Sequence, residues 1–150
     1  LEDHEWETMK THTTIGANIL DNSRIGFVRL GATIAMTHHE RWDGKGYPNG
    51  LKGKQIPLAG RIVAVADVFD ALTSARPYKA AFSVEKSVGI IEAESGRQFD
   101  PAVVAAFQAV REHIVSIRDK YRDEELSPMF CLDHLLSVQE GDPMPTWAES

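Results

Sequence analysis

Between Asp43 and Pro57 the chain carries four glycines and two prolines, and no regular element tolerates that composition. The stretch is expected to be a loop of about ten residues or more, long enough within one domain to argue for a functional segment. It divides two regions in which apolar residues recur at helical spacing. Upstream, Asp3 to Lys10 is expected as a short helix, Ile15 to Leu20 as a second and Gly26 to Arg41 as a third. Downstream, Pro57 to Ser74 reads as a helix with proline in its first turn. Ser83 is the expected N-cap of a helix over Val84 to Ser95, and Gly96 stands where a C-terminal cap belongs. Asp100-Pro101 repeats the cap-then-proline start for a helix reaching about Tyr121, and Ser127-Pro128 stops it. Met129 to Val138 is expected as one more short helix and Glu140 to Ser150 as a loose tail. No segment alternates as a strand would. The expected class is all-α, one helical domain over 1–121 followed by the short helix and tail of 122–150.

The bulk properties narrow the function. No apolar run approaches the ~20 residues that span a bilayer, and the most apolar stretch, Ile62 to Leu72, is interrupted by Asp67 and Asp70. Leu1 to Lys10 is acidic and lacks the apolar core of a signal peptide. The single cysteine, Cys131, excludes an internal disulfide and suits a reducing cytoplasm. A formal net charge of −6 argues against broad DNA or RNA binding, which needs a basic face. It leaves room for a small phosphorylated ligand.

Four residues carry the candidate chemistry. His38-His39 ends a helix against the glycine-rich loop. Neighbours on a helix diverge by ~100°, so the pair suits two ions ~3.5–4 Å apart better than one. Taken alone, it reads better as two solvated histidines favoured by the helix dipole. Asp67 shifts that balance, because a carboxylate in the run Ile62 to Phe69 is costly unless paired or metal-bound. Asp70, three residues on, reads as its structural partner. His12, among Thr11, Thr13 and Thr14, is the third histidine candidate, a solvent-facing turn residue if it stood alone. Mixed His and Asp donors without thiolate suit iron, manganese or zinc. His4, His113 and His134 lie off this set. In the loop, Tyr47 can stack on a base and Lys45 can meet a phosphate. Arg76 and Lys79 offer two further cations, equally readable as a solvated basic turn.

In order along the chain, Glu5 to His12, His38 to Leu51, Ile56 to Leu58, Arg61 to Ser74, Arg76 to Lys79 and Gly96 to Pro101 resemble the HD-GYP family. The series covers roughly the first 110 residues and is far more specific than any one motif. The resemblance implies a helical bundle of the HD phosphohydrolase type, found in bacterial proteins that carry sensory or receiver domains. It implies metal-dependent hydrolysis of cyclic di-GMP to pGpG or GMP in the cytoplasm, with membrane attachment, where it occurs, through a region upstream of this chain. His12, His38, His39 and Asp67 are then the metal ligands, Asp67 the catalytic carboxylate, and iron or manganese the ions, two or three in an intact site. Gly46, Tyr47, Pro48, Arg76 and Lys79 face the substrate, and Arg76 and Lys79 are expected on the rim of the cleft opposite Tyr47. Thr13-Thr14 departs from the proline-containing pair that commonly follows the third histidine. The family's namesake His-Asp pair and its lysine precede the segment matching Leu1, so residues 1–150 alone are expected not to turn over cyclic di-GMP. An alternative is a catalytically inactive module that binds cyclic di-GMP or a GGDEF-type cyclase.

Overall fold

A computed structural model describes residues 3–75 and 80–121. Among them the chain forms α1 (Asp3–Asp21), α2 (Gly26–Thr37), a short 3-10 turn (Gly53–Gln55), α3 (Leu58–Thr73), α4 (Val84–Ala93), α5 (Pro101–Ala109) and α6 (Arg111–Tyr121). No strand occurs among the described residues, only an isolated bridge between Ser95 and Phe99. The all-α class is as expected. No helix of the described residues is long and apolar enough to cross a membrane. The short helix and tail expected over 122–150, with Cys131 and His134, lie outside the described residues.

Several boundaries differ from expectation: the helix expected from Gly26 to Arg41 ends at Thr37, the one expected to Ser95 ends at Ala93, and Pro57 is the N-cap of α3 and not in its first turn. The first two expected helices are one, α1, which runs unbroken through His12. The threonines in and before the expected gap bond their own helix: Thr8, Thr11, Thr13 and Thr14 donate hydroxyls to the carbonyls of His4, Thr8, Lys10 and Thr11. Such back-bonding neutralises the usual competition of a hydroxyl with the backbone. Packing against α2 does the rest, since Gly16 lies against Ala35 and Gly31 against Leu20. At the other end, the single helix expected from Pro101 to Tyr121 is broken at Val110, which caps α5 at φ −112° and ψ 12°.

The start signals at Ser83 and Asp100-Pro101 act as read. Ser83 accepts from the Lys86 amide, and Asp100 accepts from the Ala102 amide with Pro101 in the first turn of α5. Gly96 adopts φ +80°, a left-handed conformation that suits glycine, and turns the chain from α4 towards α5. α3 is the central element. Val65, Val68, Phe69 and Leu72 pack with Val88 and Ile91 of α4, with Phe99, and with Val103, Val104 and Phe107 of α5. The Phe69 and Phe107 rings meet edge to face at 5.2 Å. Each such fully buried side chain stabilises the fold by roughly 1.5–3 kcal/mol. The ion pair from Arg61 Nη1 to Asp100 Oδ2, 2.6 Å, ties the start of α3 to the start of α5.

α3 also crosses α2, and Gly60 is the crossing point. A Cβ there would strike the Thr37 hydroxyl and lie 2.9 Å from Thr37 Cβ. Thr37 is buried, and its hydroxyl already donates to the Thr33 carbonyl at 2.6 Å, so it has no rotamer to escape into. Alanine at 60 would gain up to ~1 kcal/mol of helix propensity but incur ~1–3 kcal/mol of overpacking. Overpacking wins because the neighbour is β-branched and pinned. Gly60→Ala is therefore expected to lower stability by about 1 kcal/mol in urea denaturation, and a stabilised variant would show that the two helices separate freely.

Candidate metal centre

The close crossing at Gly60 fixes the C-terminal end of α2, where the histidine pair stands. α2 ends at Thr37, and His38 caps it with its amide bonded to the Ile34 carbonyl at 2.9 Å. The chain then leaves the helix, so His38 and His39 are not held to helical divergence. Their ring centroids lie 4.1 Å apart. His12 reaches them from the middle of α1, at 5.5 Å from His38 and 5.0 Å from His39. The three residues offer donor atoms that all lie within 4.8 Å of one another.

The tautomers follow from the partners. His12 Nδ1 lies 2.6 Å from the Met9 carbonyl. His38 Nδ1 lies 3.0 Å from the carbonyls of both Ile34 and Ala35. A carbonyl oxygen only accepts, so both Nδ1 atoms carry the proton and both Nε2 atoms keep a lone pair. A histidine oriented by a carbonyl on one nitrogen and free on the other is the arrangement metal-ligating histidines adopt. The donor set therefore fits a divalent ion.

Electrostatics point the same way. Burial lowers the His38 ring from its ordinary value, opposed by its carbonyl bonds and reinforced by His12. Burial, with His38 and His12 as further neighbours, lowers His39 from 6.5 to about 3. Rings that stay neutral at ordinary pH need not release a proton before binding a cation. A stability consequence follows. Between the unfolded value of 6.5 and about 3, the unfolded chain takes up a proton at His39 that the folded chain refuses. The depressed pKa thus supports the fold fully above pH 6.5, and this support is lost as pH falls towards 3. The melting midpoint of the metal-free protein is expected to fall from pH 7 to pH 5, with a shallower slope in His39→Gln. An unchanged slope would place the loss elsewhere.

Tyr47 closes one side of the cluster. Its ring stacks on His39 at 4.8 Å and 24°, and meets the edge of Trp6 at 5.9 Å. Burial raises its phenol well above the ordinary value, and the negative charge of Asp67 adds to this. Asp67 is half-buried on α3 and is thus felt at the site through Tyr47. Among the described residues it is not part of the mutually close donor set, which comprises His12, His38 and His39. Asp70 is exposed near the end of α3, 3.5 Å from the Ser74 hydroxyl. Pro48 is exposed, whereas Gly46 packs against the backbone of His39, Glu40 and Arg41. Arg76 and Lys79 lie outside the described residues. His4 and His113 are exposed and outside the cluster.

Two buried charges next to the pair had no reading of their own in the sequence. Glu40, 3% exposed, accepts the Asn49 amide at 2.8 Å and the Leu51 amide at 2.9 Å. Arg41, 5% exposed, forks onto Asp43 at 3.2 and 2.8 Å, reaches Gln98 at 3.4 Å and lies 3.7 Å from Glu94. Burial alone would raise Asp43, but bonds from Arg41 and the Lys45 amide, and both positive charges, hold it below its ordinary value. The backbone joins in, with Trp42 N to Gln98 O at 3.0 Å and Asp43 N to Arg97 O at 2.8 Å. The glycine-rich loop is thereby fastened at both ends. The available signal was two charged residues directly between a histidine pair and a glycine-rich stretch, where burial forces pairing.

Comparison with known proteins identifies the family and the fold. A family model described as "HD domain" matches residues 1–103. A cyclic di-GMP phosphodiesterase of Thermotoga maritima is 48% identical over 141 residues, 94% of this chain and 38% of that protein. A cyclic di-GMP phosphodiesterase of Vibrio cholerae is 51% identical over 128 residues, 82% of this chain and 26% of that protein. The chain therefore spans well under half the length of these curated relatives. Among solved structures, a cyclic GMP-AMP specific phosphodiesterase of Vibrio cholerae superposes with a TM-score of 0.62 at 30% identity, over 77% of this chain and 27% of that one.

Proposed function

This chain belongs to the HD-domain family, and on that premise we propose that the protein containing it hydrolyses cyclic di-GMP. Water adds across one P–O3′ bond of the ring, leaving a 5′-phosphate and a 3′-hydroxyl on linear pGpG, and a second hydrolysis yields GMP. The observation that carries the reading is the convergence of His12, His38 and His39, with two of the three rings oriented by carbonyls for donation through Nε2. These histidines, with Asp67, would hold divalent metal, iron or manganese by the nature of the donors and the family resemblance. When bound, such ions supply Lewis-acid polarisation of a phosphoryl oxygen and acidify water. The chain's own groups do the rest. Tyr47 fixes the His39 plane, Pro48 lines the approach, and Arg76 and Lys79 neutralise substrate phosphate. Sensory or receiver domains in the same protein, GGDEF-type cyclases as partners and a cytoplasmic setting extend the same reading.

The test uses the full-length protein loaded anaerobically with Fe²⁺ or Mn²⁺, with metal content measured by elemental analysis. Cyclic di-GMP and 3′3′-cGAMP are supplied in parallel, and linear products are followed by chromatography. Conversion of cyclic di-GMP to pGpG is expected. Faster consumption of 3′3′-cGAMP would overturn the choice of substrate while keeping the reaction. Tight binding of cyclic di-GMP by fully loaded protein without turnover would replace the enzyme by a binding module.

A further inference from the structure

We infer that Glu40 is a positioning residue for the metal centre: its buried carboxylate clamps the glycine-rich loop so that Tyr47 is pressed onto the His39 ring. The inference rests on the metal-site reading above and adds a residue that ligates nothing in it. Glu40 follows His39 directly, and its buried carboxylate accepts one amide on each oxygen, Asn49 N at 2.8 Å and Leu51 N at 2.9 Å. A buried carboxylate that accepts two backbone donors is held in a single orientation, because rotation would leave a charge and two amides unpaired. The geometry it fixes is specific. Residues 40 and 49–51 become the two ends of a short closed ring of chain that contains Gly46 and Tyr47. Within it Tyr47 N donates to His39 O at 3.2 Å, so the tyrosine is registered against the very residue whose ring it stacks upon.

His39 needs such support more than its partners do. His12 and His38 are oriented by carbonyls of their own helices. Among the described residues the His39 ring has no comparable bond to a carbonyl. Its plane is set by rings, those of Tyr47, His12 and His38. Of these, Tyr47 is the one delivered by a loop, and a loop holds a ring only as firmly as the loop itself is held. Glu40 thus does for His39, through the loop, what a carbonyl does directly for the other two. Partners that orient a metal ligand are commonly worth about tenfold or more in metal affinity.

The experiment compares wild type, Glu40→Gln and His39→Ala in the full-length protein. Mn²⁺ affinity is measured by competition with a chelating dye, and trypsin cleavage at the exposed loop residues Lys45 and Lys52 is timed without metal. Gln is close to isosteric but turns one acceptor into a donor facing an amide. The expected result is at least about tenfold weaker Mn²⁺ binding in Glu40→Gln and faster cleavage of the loop, at an unchanged helical circular dichroism signal. If Glu40→Gln does not fold, Glu40→Asp, which keeps the charge but is too short for both amides, is read the same way. Wild-type Mn²⁺ affinity and cleavage rates in a folded Glu40 variant overturn the inference. Wild-type affinity in His39→Ala instead overturns the metal-site reading itself, so the two failures are distinguishable. A lowered melting midpoint with unchanged metal affinity would make Glu40 a stability residue only and equally overturn it.

Discussion

On the proposed reading, replacing His39 by alanine in the full-length protein is expected to lower metal content below stoichiometric and to lower turnover of cyclic di-GMP on the order of a thousandfold. The set of mutually close donors comprises three histidines, and His39 is central to it, within 5.0 Å of His12 and 4.1 Å of His38 between ring centroids. Of the ligands this chain would supply, His12, His38 and Asp67 would remain, a thinner shell from which an ion exchanges more readily with water. Lewis-acid stabilisation of a phosphoryl transition state is worth several kcal/mol, and each ~1.36 kcal/mol is a factor of ten, which gives the thousandfold. The fold should survive. His39 is half-buried, contributes a ring stacked on Tyr47, and is neutral at ordinary pH, so its loss strands no charge. The signature is a fall in kcat that tracks metal content, with helical content intact. Retained metal and a kcat within about threefold of wild type would show that these histidines are not the metal centre.

Gly46→Ala is expected to be the most damaging change in the loop, with stability lowered by about 3 kcal/mol and turnover by about a hundredfold. A Cβ at this position would collide with Arg41 N, and would stand 2.6 Å from both Glu40 Cα and His39 O. All three are main-chain atoms, so no side-chain rotation relieves the overlap, which puts the cost at the upper end of the ~1–3 kcal/mol of overpacking. Nor can the backbone of residues 39–41 retreat, since it is tied through Glu40 to Asn49 and Leu51 and through Arg41 to Asp43 and Gln98. The loop must lift instead, carrying Tyr47 from His39. Displacement of about 1 Å at a reacting centre can reduce rate about a hundredfold. Urea denaturation and kcat on the same preparation test this. Wild-type values for both would mean that Gly46 serves substrate access, as the family resemblance implies, and not close packing.

What the sequence determined by itself was whatever is written in neighbouring residues. Ser83 and Asp100-Pro101 cap the helices they precede. The glycines and prolines of 43–57 forbid a regular element there, and His38-His39 stands at a helix end because glycine-rich chain follows it. An aspartate inside Ile62 to Phe69 is costly unless paired or metal-bound, and Asp67 lies close enough for its charge to act on Tyr47. The ordered run of motifs likewise named the family correctly, since it lies within the matched residues.

Tertiary structure alone decided the rest. Nothing local told whether the threonines around His12 would break a helix or bond back into one, because both satisfy the hydroxyls; packing of α1 on α2 selects the second. The break at Val110 is similarly unmarked by glycine or proline. Glu40 and Arg41 look like ordinary surface charges until the loop and the α4–α5 turn fold over them and leave them 3% and 5% exposed. Gly46 is required by the main chain of residues 39–41, a neighbour that exists only once the loop doubles back. Periodicity and caps are properties of a few adjacent residues, whereas burial and close approach depend on what the rest of the chain brings near, and the metal centre is assembled from both.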